Sequence, residues 1–312
     1  MTSRTGLVVS LGSVFFAHFL TPYSVALADQ DSPTTQLQID SERAYRGRCE
    51  PYEGDARTWP SQTPFDADSP AMMTAFSHCA WTVSLGPDGS IIAKVHLRRR
   101  RVVDLPFTPS VIPRWQMMHC AGDTSAQEDP PLAVSDFLPV PDGFLVAYNS
   151  GEFGGGLYRY DSTGRLSERI TTENALRIFP EPHGALAFTG IAHMTIDSGH
   201  VVRLTYQAKH WHVRRVRLPG APAVLLPERD GSFLFITGRN LFRVTPELHI
   251  ILLHRGSWRG NVAPNSIVQD SSGTIYLGMR YAVARLRPTG GGYLEEWLGP
   301  LGPQGTPRKV AG

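Results

Sequence analysis

The chain has 312 residues, of which 41% are hydrophobic and 19% charged, a balance typical of a globular protein with a substantial core. Its net charge of +2 gives no argument for nucleic-acid binding, so we expect no nucleic-acid partner. Thirty glycines and 25 prolines without a collagen-like period favour many turns and short elements over long helices.

The N-terminal residues 1–28 have the pattern of a secretory signal peptide. Arg4 supplies a positive start, the apolar run Gly6–Leu20 follows, and Ala26–Ala28 places small residues where signal peptidase cleaves. The apolar run is shorter than the roughly 20 residues of a membrane-spanning helix, although an uncleaved anchor is the alternative. We therefore expect cleavage after the signal, export to the periplasm or beyond, and a single domain over residues 29–312 without a membrane span.

The chain contains three cysteines, Cys49, Cys79 and Cys120. In an oxidising compartment two of them would pair and one would stay free. The similar surroundings "SHCA" and "MHCA" favour a disulfide between Cys79 and Cys120, while the other two pairings, and three unbonded buried thiols, remain open.

A turn marker recurs along the chain at intervals of roughly 40 to 55 residues, the period of a propeller blade. Each marker is a glycine that follows an apolar approach and a Pro/Asp turn and precedes a β-branched or aromatic run, a pattern that predicts a β-hairpin. The marker glycines are Gly89, Gly143, Gly184, Gly231 and Gly273.

A second marker is an arginine in the segment after each of the last four hairpins. Arg243 and Arg285 follow their glycines closely, whereas insertions delay Arg159 and Arg203. These segments alternate apolar and polar residues, as half-buried strands do. The sequence therefore predicts an all-β propeller of four-stranded antiparallel blades. We expect six blades, with five or seven open, and residues 29–79 as an irregular segment that could complete a blade. A β-sandwich or barrel is the alternative fold.

The stretch Pro264–Leu298 contains an Asp-x-x-Gly turn, "IYLG" and "VARLRPTG". This pattern resembles the blades of exported bacterial propellers of the NHL type and of the streptogramin-lyase-like type. The resemblance covers about Leu85–Leu298 at the level of single blades. It implies the fold and little about activity, because propellers host enzymes and binding modules alike.

Standard catalytic motifs are absent from the sequence: it has no HExxH, no GxSxG and no phosphate-binding glycine loop. We therefore assign no catalytic residue, no metal ligand and no cofactor. His210 and His212 share one face of a predicted strand, which we interpret as an outward polar strand in preference to a metal site. The run Arg98–Arg101 is typical of a solvated strand end, with an anchor for an acidic partner as the alternative.

If the glycine turns lie at the bottom of the propeller, the loops between second and third strands lie at its top. Those loops are rich in arginine and aromatic residues, which protein-binding surfaces use. The predicted binding rim comprises Asn149, Glu152, Phe153, His193, Arg239, Asn240, Arg280, Tyr281 and, near the channel mouth, Asn265.

Export, a propeller and missing catalytic motifs favour a monomeric, non-enzymatic module that binds another protein in the periplasm. One concrete version is an immunity protein or inhibitor that neutralises a toxin acting on the cell wall or membrane. The alternative is a propeller hydrolase or lyase. Lactonases with a propeller fold hold a divalent metal in the central channel, so this alternative implies an ion such as Ca²⁺ near Asn149, Glu152 and Asn265. No matching Asp or general base is evident in the sequence. Sugar or cell-wall binding is a third option.

Overall fold

The computed structural model of the chain describes residues 53–59, 61–62, 80–96, 103–114, 130–258, 264–280 and 282–299. These residues all belong to one unit, Arg43–Gly312. The predicted signal peptide, the three cysteines, the run Arg98–Arg101 and Tyr281 lie outside the described residues.

Strands account for nearly all of the regular structure that is described. In chain order they are β1 (Glu53–Asp55), β2 (Ser61–Gln62), β3 (Ala80–Leu85), β4 (Ile91–His96), β5 (Val134–Val140), β6 (Gly143–Asn149), β7 (Gly155–Asp161), β8 (Leu166–Thr171), β9 (Ala175–Glu181), β10 (Gly184–His193), β11 (Ile196–Gln207), β12 (His210–Leu218), β13 (Val224–Pro227), β14 (Phe233–Thr237), β15 (Asn240–Val244), β16 (Ile250–Arg255), β17 (Ser266–Gln269), β18 (Ile275–Gly278), β19 (Val283–Thr289) and β20 (Gly292–Leu298). The two described helices, Ala56–Thr58 and Gly151–Phe153, are three-residue 3₁₀ turns. No described helix has the length and apolar character needed to cross a membrane.

The described strands form five antiparallel sheets, which we call blades 1 to 5 in chain order. Blades 2, 3 and 4 each contain four successive strands, β5–β8, β9–β12 and β13–β16, paired in chain order. Blade 5 contains β17–β20, with β2 added at its outer edge, and blade 1 has the order β3-β4-β1. The predicted all-β propeller is confirmed, and five described sheets lie within the predicted range of five to seven.

The first strands of the blades line the centre of the structure. β5 contacts β9, β13 contacts β17, and β17 contacts β3, whereas the later strands of each blade lie farther out. The sheets are therefore arranged side by side in the order blade 2, 3, 4, 5, 1, each packed on the next. This is the radial arrangement that propellers use to protect their sheet edges.

Apolar side chains fill the space between successive blades, because each strand turns alternate residues toward the blade on either side. Blades 3 and 4 share an aromatic cluster in which the rings of Phe188 and Phe233 lie 5.3 Å apart. Blades 5 and 1 share a second aromatic cluster, in which Trp59 packs edge-on against Trp81 at 5.0 Å. Fully burying one such ring contributes about 1.5–3 kcal/mol, so these clusters are a main source of stability.

Polar contacts also join neighbouring blades. The backbone N–H of Val83 in blade 1 donates to Ser266 Oγ of blade 5 at 2.9 Å. Between blades 4 and 5, the Glu295 carboxylate accepts hydrogen bonds from Ser257, from His254 at 2.8 Å and from Trp297 at 2.7 Å. Burial raises the pKa of Glu295, but these hydrogen bonds lower it by more, so its pKa lies below the usual 4.5.

Blade 2 is covered on its far side by the segment 103–114. Phe107 stacks on Phe144 with ring centroids 4.4 Å apart, and Tyr160 donates from its hydroxyl to the Val111 carbonyl at 2.8 Å. The segment lies on the face of blade 2 opposite the one that packs on blade 3.

Candidate functional site

The antiparallel order of the strands gives the propeller two distinct faces. The turns between first and second strands, and between third and fourth strands, lie on one face, which we call the bottom. The loops between second and third strands, and the segments that lead into each first strand, lie on the opposite face, the top. The predicted binding rim is made of top segments.

The bottom face contains the repeated turns that marked the blades in the sequence. Gly231 and Gly273 have φ of +84° and +82°, the left-handed region that favours glycine. At Gly184 the constraint is space, because a Cβ there would lie 1.9 Å from the backbone oxygen of Leu204. These glycines therefore fix the hairpins of the fold.

The arginines of the second marker all lie on third strands, near the bottom. In blades 2, 3 and 4 each one forms an ion pair with an acidic residue at the end of the first strand or in the turn after it. The pairs are Arg159 with Asp142, Arg203 with Glu181 and Arg243 with Glu228, at 2.8, 2.8 and 2.6 Å. In blade 5 the equivalent Arg285 pairs with Glu296 at 3.0 Å. The sequence identified the arginines but not their partners, whose positions shift from blade to blade.

The top loop of blade 2 is closed by its own hydrogen bonds. The side-chain oxygen of Asn149 accepts a hydrogen bond from the Gly151 N–H at 3.0 Å. Asn174, in the segment before the first strand of blade 3, donates to the Gly151 carbonyl at 2.8 Å. Phe153 is half-buried in the same loop. Asn149 and Phe153 therefore belong to the framework that holds the loop, and Glu152 is its exposed charge.

Glu152 and His193 join the top loops of blades 2 and 3. The His193 Nε2 atom lies 2.8 Å from a carboxylate oxygen of Glu152, and the two side chains are 40% and 46% exposed, respectively. An exposed pair of this kind contributes little to stability. Its consequence is to place two predicted rim residues from different blades side by side.

The hairpin β10–β11 projects above the rest of the top face. β10 and β11 have 10 and 12 residues, whereas β14 and β15, their equivalents in blade 4, have five each. At the tip, Met194 has a positive φ of 51° and is 92% exposed, and Ile196 is 55% exposed. A non-glycine residue in this conformation is strained. A solvent-exposed methionine on a projecting turn offers an apolar contact to a partner. The sequence analysis identified the insertion but not these two residues.

A half-buried acid, Glu173, supports the base of this hairpin. Glu173 accepts a hydrogen bond from Thr189 at 2.8 Å, lies 2.7 Å from His200 Nδ1 and pairs with Arg215 at 2.9 Å. Burial raises the pKa of Glu173, but the hydrogen bonds from Thr189 and His200 and the charge of Arg215 lower it by more, so its pKa lies below 4.5. The carboxylate is ionised at neutral pH and connects strands β10, β11 and β12 to the segment that precedes β9.

The remaining rim residues come from blades 4 and 5. Arg239 is exposed in the two-residue turn before β15, and Asn240 begins that strand. Arg280 is half-buried and forms a bridge with Ala80 of blade 1 through its backbone. Arg239 and Arg280 thus place positive charge on the top of neighbouring blades, with Tyr281 outside the described residues.

A cavity of about 410 Å³ opens between the first strands of blades 3, 4 and 5, at their top ends. Val224 contributes apolar wall, and Arg177 contributes a guanidinium whose nearest acid is Asp136, at 3.9 Å. Asn265 lines the cavity, and its side-chain oxygen accepts from the Ser266 hydroxyl at 2.9 Å.

The structure gives separate partners to the three residues of the lactonase-like alternative. Asn149 bonds within its own loop, Glu152 pairs with His193, and Asn265 bonds to its neighbour in the chain. Within the residues described, no group of three or more His, Cys, Asp or Glu side chains is arranged to hold a metal ion. The three residues as placed do not form a ligand set.

No protein-family model matches the sequence, and no curated protein matches it. Among solved structures, a streptogramin B lyase is 13% identical over 53% of this chain, with a TM-score of 0.34, and the chain spans 57% of that protein. A virginiamycin B lyase from Staphylococcus aureus is 12% identical, with 79% of this chain and 74% of that chain covered and a TM-score of 0.36. The extracellular domain of a putative one component system from B. thetaiotaomicron is 11% identical, with 70% and 28% covered and a TM-score of 0.37.

The chain therefore resembles streptogramin lyases at the level of blades, as its blade motif does. With TM-scores below 0.5, the likeness carries no argument about activity. The class of the protein, an all-β propeller, rests on its own sheets and on the contacts between them.

Proposed function

We propose that this propeller is an exported, monomeric, non-enzymatic module that binds another protein through its top rim. The observation that carries the proposal is the projecting β10–β11 hairpin, with Met194 and Ile196 exposed at its tip and the Glu152–His193 pair beside it. Interfaces of this kind place apolar anchors inside a rim of polar and charged groups. Arg239 on the next blade adds a charged group to the same face.

Export to the periplasm supports the kind of partner. The signal-peptide pattern of residues 1–28 supports export of the mature chain, and an exported chain needs a partner that is accessible outside the cytoplasm. A protein that acts on the cell wall or membrane meets this condition. An immunity protein or inhibitor that blocks such a toxin is the most concrete form of the proposal, because blocking requires a rigid surface and no catalytic group.

The proposal is tested by partner capture from the producing cell with two matched variants. Met194→Ser/Ile196→Ser removes the apolar tip, and Leu85→Ser removes an apolar side chain of similar exposure, 53% against 55% for Ile196, from the bottom face. We expect the tip variant to lose a partner that the native protein and the Leu85 variant both retain. Loss of an interface anchor costs about 2 kcal/mol or more, a decrease in affinity of about thirtyfold. Equal capture by all three proteins contradicts the proposal.

The enzymatic alternative is favoured by one observation, the cavity at the channel mouth beside Asn265. A hydrolase or lyase of the lactonase type would hold a divalent ion in the channel, but the residues that line this cavity do not fit one, because none is a carboxylate and Arg177 is a cation. Metal analysis of the purified protein and calorimetric titration with Ca²⁺ distinguish the two functions. A stoichiometric ion, lost in an Asn265→Ala variant, would replace the binding-module proposal with the enzymatic one.

A further inference from the structure

Strand β12 forms the outer edge of blade 3. Its nine residues, His210–Leu218, pair with β11 along their whole length and without a register shift. No described strand pairs with its other side. A long, regular edge of this kind presents unpaired backbone N–H and C=O groups to any extended chain that approaches it.

The other outer edges of the complete blades are shorter, and each is irregular or partly covered. The pairing of β8 with β7 contains two register shifts, and the pairing of β16 with β15 contains one. Such irregularities are a common way for proteins to disable an exposed edge. At β20, β2 pairs with the last two residues of the outer edge, Ser61 with Leu298 and Gln62 with Trp297. Among the complete blades, β12 is thus the longest regular outer edge and has no described strand added to it, and β20 shows that an outer edge of this fold accepts an added antiparallel strand.

Two arginines of β12 carry positive charge without matching negative charge, and two histidines lie on the same strand. His210, His212, Arg214 and Arg217 are all exposed, and none of them has an acidic partner among the described residues. Arg215 is the one cation of the strand with a described acidic partner, Glu173. Arg214 lies directly opposite Arg203 of β11, and because Arg203 already pairs with Glu181, that carboxylate is engaged elsewhere.

We propose that the β12 edge binds an extended, acidic segment of another protein as a fifth strand of blade 3. Backbone hydrogen bonds to β12 would supply affinity. Arg214 and Arg217 lie on opposite faces of the strand, so Asp or Glu side chains at alternate positions would lie opposite one of these two arginines. Carboxylates are the groups that arginine side chains bind best, because both oxygens can be engaged at once. This surface lies on the outer wall of the blade, separate from the top rim, so the inference goes beyond the binding function proposed above.

The test uses labelled nine-residue peptides that alternate glutamate with valine or threonine, measured by fluorescence anisotropy on the full chain. We expect the acidic peptide to bind, and a peptide with lysine at the glutamate positions to bind at least tenfold more weakly. Arg214→Glu/Arg217→Glu should weaken the acidic peptide at least tenfold. The control Arg229→Glu/Arg255→Glu makes the same charge change at exposed positions of blade 4 and should leave affinity unchanged.

Two further peptides separate strand addition from simple charge attraction. They carry N-methyl groups on alternate backbone amides, one set on each edge of the strand. Strand addition predicts that one methylated peptide loses at least tenfold in affinity and the other does not, because only one edge faces β12. Equal binding of both, or binding of a heparin fragment as tight as that of the acidic peptide, would show a general polyanion surface and overturn the proposal. No binding of the acidic peptide overturns it as well. The Met194→Ser/Ile196→Ser variant should bind the peptide normally, so failure here is distinguishable from failure of the rim.

Discussion

The bottom face of the propeller repeats the same residues from blade to blade, whereas the top face does not. On the bottom, the same features recur in successive blades: a glycine in the first turn and, in the last four, an arginine on the third strand with an acid held against it. On the top, each loop differs from the next in length, charge and exposure. The β10–β11 hairpin is the extreme case, with a strained, exposed methionine at its tip. The difference indicates that repeated residues build the blades and unrepeated ones provide the recognition surface.

The largest expected effect is at a bottom glycine. Gly184→Val should lower the free energy of unfolding by about 3 kcal/mol or more, because its side chain would collide with the backbone of the neighbouring strand. Gly273→Val, where the obstacle is the positive φ and not space, should cost about 1–3 kcal/mol. Gly290→Ala, in open space, is the control and should change stability by less than about 0.5 kcal/mol. Urea unfolding measures all three. A Gly184 variant as stable as the control would refute the structural role of the bottom turns.

Contacts between blades lie outside the repeated bottom pattern, and Glu295 makes several of them, with His254 and Ser257 of blade 4. Its folded-state pKa is lowered, so its stabilising effect is present above pH 4.5 and is lost as the pH falls through the folded value. Glu295→Gln should therefore cost about 2 kcal/mol at pH 7, where a charged acceptor is lost, and progressively less below pH 4. Unfolding of both proteins across this pH range measures the difference. Glu53→Gln, at an exposed carboxylate, is the control, and parallel curves for Glu295→Gln and the native protein would contradict the assignment.

The ion pairs sharpen the comparison between the two faces. Arg243→Met should cost about 2 kcal/mol, because it leaves the largely buried Glu228 without its partner. His193→Gln breaks the exposed top pair and should cost less than about 0.5 kcal/mol. A double-mutant cycle with Glu228→Gln isolates the bottom pair. Equal losses at the two sites would remove the energetic distinction between the faces.

The smallest expected effect is a gain in stability. The bottom turn of blade 3 holds Ala208 and Lys209 at positive φ, where Asn-Gly is preferred. Ala208→Asn/Lys209→Gly should raise the free energy of unfolding by about 1 kcal/mol and leave partner binding unchanged. At the top of the same blade, Met194→Gly should relieve similar strain but lose the partner. A Met194→Gly variant that binds normally would show that this residue is not an anchor.

The features that could be predicted from the sequence are those that repeat from blade to blade. Glycines and arginines at blade intervals are visible because five copies can be compared, and the hairpins and third strands follow from them. Glu181 and Glu228 could not be predicted as the partners of the third-strand arginines, because the acidic residue lies on the first strand in one blade and in the turn after it in another. The Glu152–His193 contact depends on how one blade is rotated against the next, and the exposure of Met194 depends on how far a hairpin outgrows its neighbours. Neither is a local property of the chain.

The account is tested most directly by measuring stability and partner binding together for variants of both faces. The top variants are Glu152→Ala, His193→Ala, Met194→Ser and Arg239→Ala, and the bottom variants are Arg159→Met, Arg203→Met and Arg243→Met. We predict that at least one top variant, Met194→Ser foremost, weakens binding at least tenfold at an unchanged unfolding midpoint. The bottom variants should lower the midpoint and bind normally at temperatures where they are folded. Bottom variants that are folded yet lose the partner, while every top variant retains it, would contradict the claim that the top rim is the recognition surface.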